Sequence, residues 1–106
     1  MFFGCVGLSG STISEDLFYY NNNVVTYAQA FYGCRNLILP TRLFNLSNIN
    51  KVVSFNQFMY AASPTYSFSG TTQDIWNYSG SSVIRTQAFY NQTALTNYAS
   101  IPAAWK

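Results

Sequence analysis

Residues 25–37 read VTYAQAFYGCRNL, and the rest of the chain repeats their pattern. The central tetrapeptide, Gln-Ala-Phe-Tyr at residues 29–32, recurs unchanged at residues 87–90 and more loosely at 57–60. Residues 2–5, Phe-Phe-Gly-Cys, read as a further copy. The matched positions are separated by 29, 28 and 30 residues: Phe2, Phe31, Met59 and Phe89. Because self-similarity with a period of roughly 20–50 residues is typical of repeat proteins, the sequence predicts an array of stacked units.

The repeat divides the chain into a single array of about three and a half units: 1–29, 30–57, 58–87 and 88–106. A second aromatic position also recurs: Phe18, Phe44, Trp76 and Trp105. Residues 63–68 read as an insertion, and insertions in repeat proteins often form a binding surface. Since one unit is too small to bury its own apolar residues, we expect neighbouring units to stack. Phe31 and its equivalents should then form one internal column, and the Phe18 series another.

The pattern within each unit predicts short strands joined by short helical turns. Strands are expected where apolar or β-branched runs meet turn residues or proline: 24–26, 37–39 and 52–54. Residues 27–32 and 42–45 contain neither glycine nor proline and are predicted to form helical turns, whereas 45–51 is predicted to be a loop.

Charge is unusually scarce in this sequence. Charged residues make up 8% of the chain, against about a quarter in typical globular domains. The polar surface must therefore consist of Asn, Ser, Thr, Gln and Tyr side chains. The net charge of +2 comes from scattered basic residues, and nucleic-acid binding requires a clustered basic surface. The composition therefore argues against a nucleic-acid partner.

No segment of the sequence has the roughly 20 apolar residues that a membrane span requires, so membrane insertion is not expected. The first five residues have no basic region and no hydrophobic region before Gly4 and Cys5, so we predict no signal peptide. Gly33 and Cys34 repeat the same dipeptide, which explains it without processing.

The two cysteines, Cys5 and Cys34, occupy equivalent positions in neighbouring units. Stacked equivalent positions lie about 4.8 Å apart, which is near enough for a disulfide. However, parallel side chains rarely have the dihedral angle that a disulfide needs, and we favour two buried, reduced thiols. Two cysteines without histidine cannot complete a zinc site, so no metal or other cofactor is predicted.

The segment Ala-Phe-Tyr-Gly-Cys-Arg-Asn-Leu-Ile-Leu-Pro, residues 30–40, resembles the BspA-type class of leucine-rich repeats. Residues 87–106 are similar to terminal repeats in bacteriophage-encoded members of that class. The resemblance implies an α/β solenoid: a right-handed coil of 28–30 residues per turn with short parallel strands and short helical turns. It also implies a surface or virion protein that binds other proteins or glycans. Met59, Ala62 and Gln92 depart from the family's Phe and Cys positions.

Catalysis is not expected, because the sequence lacks histidine and neither cysteine has a plausible base. A site of paired carboxylates would require Asp74 to meet Glu15 or Asp16 from about two units away. Two functions remain. One is a structural or assembly component, predicted for a phage virion, whose uncapped solenoid end is covered by other protein chains. The other is an adhesion or receptor-binding and glycan-binding module at a cell surface or outside the cell. The candidate partner-binding residues are the apolar residues near the N-terminus and four tyrosines: Phe2, Phe3, Leu8, Tyr19, Tyr20, Tyr66 and Tyr78.

Overall fold

The computed structural model describes residues 10–106. Their backbone is joined by isolated parallel β-bridges that form two columns. One column joins Thr12, Ile38 and Ser69, and the other joins Thr26, Ser54 and Ile84. Successive members of a column are 26–31 residues apart in sequence. The spacing of the sequence repeat therefore reappears as the spacing of backbone contacts.

The predicted fold class, an α/β solenoid with short parallel strands, is wrong. In residues 10–106 each bridge is a single residue, no sheet forms, and the helices are all of the short 3-10 type. The molecule is a compact globule with extents of 31 × 27 × 21 Å. The predicted strands 24–26, 37–39 and 52–54 each contain one bridge residue and extend no further.

Left-handed backbone explains why the bridges do not lengthen into strands. Gln29, Gln57 and Gln87 follow the bridge residues of one column by three positions, and their φ angles are 56°, 52° and 51°. In the other column, Asn36 (φ 54°) precedes Ile38 by two residues. Since a residue at positive φ leaves the extended conformation, the chain turns away before a second bridge can form.

The helices lie away from the positions that the sequence predicts. They span Leu46–Lys51, Pro64–Tyr66, Ile75–Asn77, Tyr98–Ser100 and Ala103–Trp105. The longest covers the segment predicted as a loop, because the side chain of Asn45 caps it by accepting from the N–H of Ser47 at 3.1 Å. The predicted helical segments 27–32 and 42–45 are irregular turns and bends.

Backbone hydrogen bonds join each unit to the next at the repeated tetrapeptide. The N–H of Phe31 donates to the carbonyl of Phe58 at 2.9 Å, and the N–H of Met59 donates to that of Ala88 at 2.7 Å. At the end of this series, the N–H of Phe89 donates to the carbonyl of Trp105 at 2.8 Å. The C-terminal 3-10 helix thus covers the last copy of the tetrapeptide.

The core is one network of rings and not two separate columns. Phe31 and Phe44 are buried, as predicted, but Phe18 contacts both of them, with ring centroids 5.8 and 5.4 Å away. Trp105 is also buried and contacts Phe89 at 6.4 Å, which belongs to the Phe31 series. Most of these contacts are tilted or edge to face, arrangements that add to the stabilisation from burial alone.

Side-chain amides replace backbone partners where the units differ in length. The carbonyl oxygen of the Gln73 side chain accepts from the backbone N–H groups of Leu43 and Phe44, both at 2.7 Å. The Asn97 side chain accepts from the N–H of Thr72 at 3.1 Å and donates to its carbonyl at 2.8 Å. Both amides therefore take the place of a peptide group on an adjacent backbone segment.

The insertion is also held in place by a side-chain amide that bonds to backbone groups. Its helix Pro64–Tyr66 is followed by Ser67 and Phe68, both of which are buried. The fully buried Gln92 accepts from the N–H of Phe68 at 2.7 Å and donates to the carbonyl of Met59 at 2.6 Å. Gln92 stands at the repeat position that Cys34 occupies in the second unit. We call its pair of buried hydrogen bonds, to Phe68 and Met59, the Gln92 clamp.

Candidate functional site

The carboxylates serve local structure. Two guanidinium N–H groups of Arg42 donate to Asp16 at 2.5 and 2.9 Å. The hydrogen bond from Arg42 lowers the pKa of Asp16, and Asp16 in turn raises the pKa of Arg42. Glu15 accepts from the Thr41 hydroxyl at 2.9 Å, and Asp74 accepts from the side chain of Asn77.

Neither a metal centre nor a catalytic pocket is evident in the part of the chain that the structure describes. Residues 10–106 contain no group of three or more His, Cys, Asp or Glu side chains that could hold a metal ion. An open cleft of about 220 Å³ lies beside Ile13, Leu17, Phe31 and Leu37. The other described residues that line it are Ser11, Thr12 and Ser14, and none of the lining residues within 10–106 has an ionisable side chain.

Of the four tyrosines predicted to bind a partner, Tyr19 and Tyr20 are the pair that is in ring contact within residues 10–106. Tyr19 and Tyr20 contact each other edge to face, with centroids 5.0 Å apart, and Tyr20 is 78% exposed. The guanidinium of Arg35 lies 4.1 Å above the ring centroid of Tyr66. Tyr78 is exposed, but within residues 10–106 no ring contact links it or Tyr66 to the Tyr19–Tyr20 pair.

Other predicted residues lie outside the described part of the chain: Phe2, Phe3, Cys5 and Leu8. Cys34 is completely buried. The pairing state of the two cysteines therefore stays a prediction.

A ladder of three stacked tyrosines lies outside the set of residues that the sequence predicts to bind a partner. The rings of Tyr32 and Tyr60 stack with centroids 4.8 Å apart and an angle of 18° between their planes. Those of Tyr60 and Tyr90 stack at 4.9 Å and 12°. All three residues are half-buried. The signal was present in the sequence, because each is the last residue of the repeated tetrapeptide.

A glutamine ladder runs beside the tyrosines at the first position of the same tetrapeptide. The side-chain N–H of Gln29 donates to the side-chain oxygen of Gln57 at 2.8 Å. Gln57 in turn donates to Gln87 at 3.2 Å. The two ladders keep the three copies in register.

An aliphatic column, formed by Val25, Val53 and Ile84, is exposed on the side of the second bridge column. These residues are 54%, 57% and 52% exposed. They are neighbours, because the N–H of Val53 donates to the carbonyl of Val25 at 2.6 Å and the N–H of Ile84 donates to that of Val53 at 3.0 Å. Val25 and Val53 stand at equivalent positions, which lie about 4.8 Å apart on adjacent backbones. Ile84 pairs with Ser54 and therefore stands one position further along, on the third of these adjacent segments.

No described helix is long and apolar enough to cross a membrane. No protein-family model, curated protein or solved structure matches the chain. The resemblance to BspA-type repeats therefore stays a prediction.

Proposed function

We propose that this protein is a non-catalytic assembly module that associates with further copies of itself through the aliphatic column. The observation that carries the proposal is the exposure of Val25, Val53 and Ile84, each more than half accessible on directly adjacent backbone segments. Contiguous exposed apolar surface is characteristic of interaction sites, whereas single exposed apolar residues are ordinary.

The scarcity of charge supports the same function. Charged side chains normally discourage contact between copies of a soluble protein, and here they make up 8% of the chain. The cores of protein interfaces are likewise depleted of charge. Thr26, which lies beside the column, is exposed and uncharged, and the nearest charged residues in sequence are Lys51 and Arg85.

A glycan-binding module receives less support. Sugars pack on exposed ring faces, but Arg35 lies over the ring of Tyr66 and Arg42 lies over that of Tyr19, 4.6 Å from its centroid. The predicted virion or extracellular location rests on the family resemblance and stays a prediction.

Sedimentation equilibrium of the purified chain over a wide concentration range tests the proposal. We expect concentration-dependent association that Val53→Lys strongly weakens, because it places a charge at the centre of the column. Ile38→Lys is the matched control, since Ile38 is an exposed residue of the other bridge column. It should leave association unchanged. A wild-type protein that stays monomeric throughout, or equal effects of both substitutions, would contradict the proposal and favour a binding module for a different partner.

A further inference from the structure

The tyrosine ladder brings together three oxidisable rings at 4.8 and 4.9 Å, the spacing of neighbouring backbone segments. The N–H of Gly33 donates to the carbonyl of Tyr60, and the N–H of Ala61 donates to that of Tyr90, both at 3.0 Å. These bonds lie next to the ladder residues and fix their register. The rings are therefore held near each other by the backbone.

We propose that the tyrosine ladder is a site of oxidative cross-linking, in which Tyr60 forms a dityrosine bond with Tyr32 or Tyr90. The reaction requires hydrogen peroxide and a one-electron oxidant of the peroxidase class. Its product would be a covalent staple between two units that are otherwise joined by hydrogen bonds and packing. The inference does not depend on the proposed self-association.

The cross-linking reaction joins two phenol groups, consumes one hydrogen peroxide and needs no other reactant. Each of two phenols loses one electron and one proton, which gives two phenoxyl radicals with spin density on the carbons ortho to oxygen. The radicals form one carbon–carbon bond between ortho positions, and the two ring hydrogens move as protons to the oxygens to restore both phenols. The two electrons and two protons removed reduce one hydrogen peroxide to two waters. The protein loses two hydrogen atoms.

The geometry of its ring pairs favours the ladder over the other tyrosines. The rings of Tyr60 and Tyr90 stack face to face, with an angle of 12° between their planes. Tyr19 and Tyr20 are as near, with centroids 5.0 Å apart, but their planes are 73° apart. The ladder rings are also only half-buried, so a small oxidant or its radical product can reach them.

Tyr60 is shared by both ring pairs, which makes the site testable by single substitutions. Tyr60→Phe removes the phenol but keeps the ring, so the stack and the fold are preserved while both cross-links are lost. Tyr32→Phe should leave only the link between Tyr60 and Tyr90, and Tyr90→Phe only the link between Tyr32 and Tyr60. Tyr78→Phe, at an exposed tyrosine outside the ladder, is the matched control.

The experiment treats dilute folded protein with peroxidase and limiting hydrogen peroxide. Dityrosine fluorescence and peptide mapping by mass spectrometry are then measured on the monomeric product. We expect an intramolecular link at Tyr60, a mass lower by two hydrogen atoms, and a thermal midpoint raised by roughly 10 °C because the staple restricts the unfolded chain. Tyr60→Phe should lose this product and Tyr78→Phe should retain it. Equal yield in Tyr60→Phe, or links that map to Tyr20 or Tyr78, would overturn the inference.

Discussion

Gln29, Gln57 and Gln87 combine a left-handed backbone with a hydrogen-bonded side chain. This backbone conformation is less stable by about 1–2 kcal/mol for a residue with a Cβ, which is why glycine usually occupies it. Each hydrogen bond between the amide side chains stabilises the folded protein by about 1 kcal/mol net. The glutamines therefore tolerate an unfavourable turn because the turn places their side chains in line with one another.

Substitutions at Gln57, the middle of the ladder, separate these two effects. Gln57→Ala keeps the backbone cost and removes both side-chain bonds, so we expect a loss of about 2 kcal/mol in the free energy of unfolding. Gln57→Gly removes the same bonds but accepts a positive φ readily, so the expected loss is about 1 kcal/mol. Urea unfolding of the three proteins measures the difference. If glycine destabilises as much as alanine, the left-handed turn is not a source of strain.

At the scale of elements, amide side chains provide the contacts that a sheet would otherwise make. Gln73, Gln92 and Asn97 each bond to backbone groups of another segment. The segment Ser67–Phe68 is the clearest case, because the oxygen of Gln92 accepts from the N–H of Phe68 and from the hydroxyl of Ser67. The abundance of uncharged polar residues is thus partly structural, and not only a property of the surface.

Gln92→Glu tests this clamp through its pH dependence. A carboxylate cannot donate to the carbonyl of Met59, and its charge would be fully buried, so we expect a loss of about 3 kcal/mol at neutral pH. Burial raises the folded pKa of such a glutamate, so its protonated form is favoured by folding. Stability should therefore recover below about pH 4 and fall as the pH rises.

The half-buried Gln73 provides the control for that experiment. Gln73→Glu should be less destabilising and less dependent on pH, because solvent screens part of its charge. Thermal unfolding of both variants across the acidic and neutral range gives the comparison. If the thermal midpoint of Gln92→Glu does not change with pH, water reaches the side chain at position 92 and the burial argument is wrong.

The whole molecule should have a flat stability profile around neutral pH, because the chain contains no histidine. The pKa of Asp16 is lowered by Arg42, so its contribution is present above the unfolded pKa and lost as the pH falls through the folded value. Burial raises the pKa of the Tyr27 phenol. Its contribution is present below the unfolded pKa and lost as the pH rises through the folded value.

Thermal midpoints measured from acidic to alkaline pH test this profile. We expect a plateau between the two limits, and Tyr27→Phe should weaken the alkaline decline while it leaves the plateau unchanged. A marked transition between about pH 6 and pH 7 would contradict the prediction, because no ionisable group of this chain ordinarily titrates there.

The sequence by itself determined the repeat spacing and the composition of the core. Phe31, Leu37 and Phe44 recur at repeat positions and are buried. Apolar residues that recur at the same repeat positions indicate which side chains are excluded from water. These positions become buried when the units stack, whatever the exact geometry of the stack. The pattern also located the bridge residues Thr26, Ile38 and Ser54 within the predicted strands.

Only the tertiary structure decided how far those strands extend and which polar residues matter. Glutamine is not a residue that ordinarily marks a left-handed turn, so the turns at Gln29, Gln57 and Gln87 could not be read from the sequence. The tyrosine ladder depends on the backbone register between units, and the Gln92 clamp depends on the path of the insertion. The physical reason is that a single hydrogen bond across 24–33 residues is set by where the distant segments meet, and local sequence does not encode that meeting point.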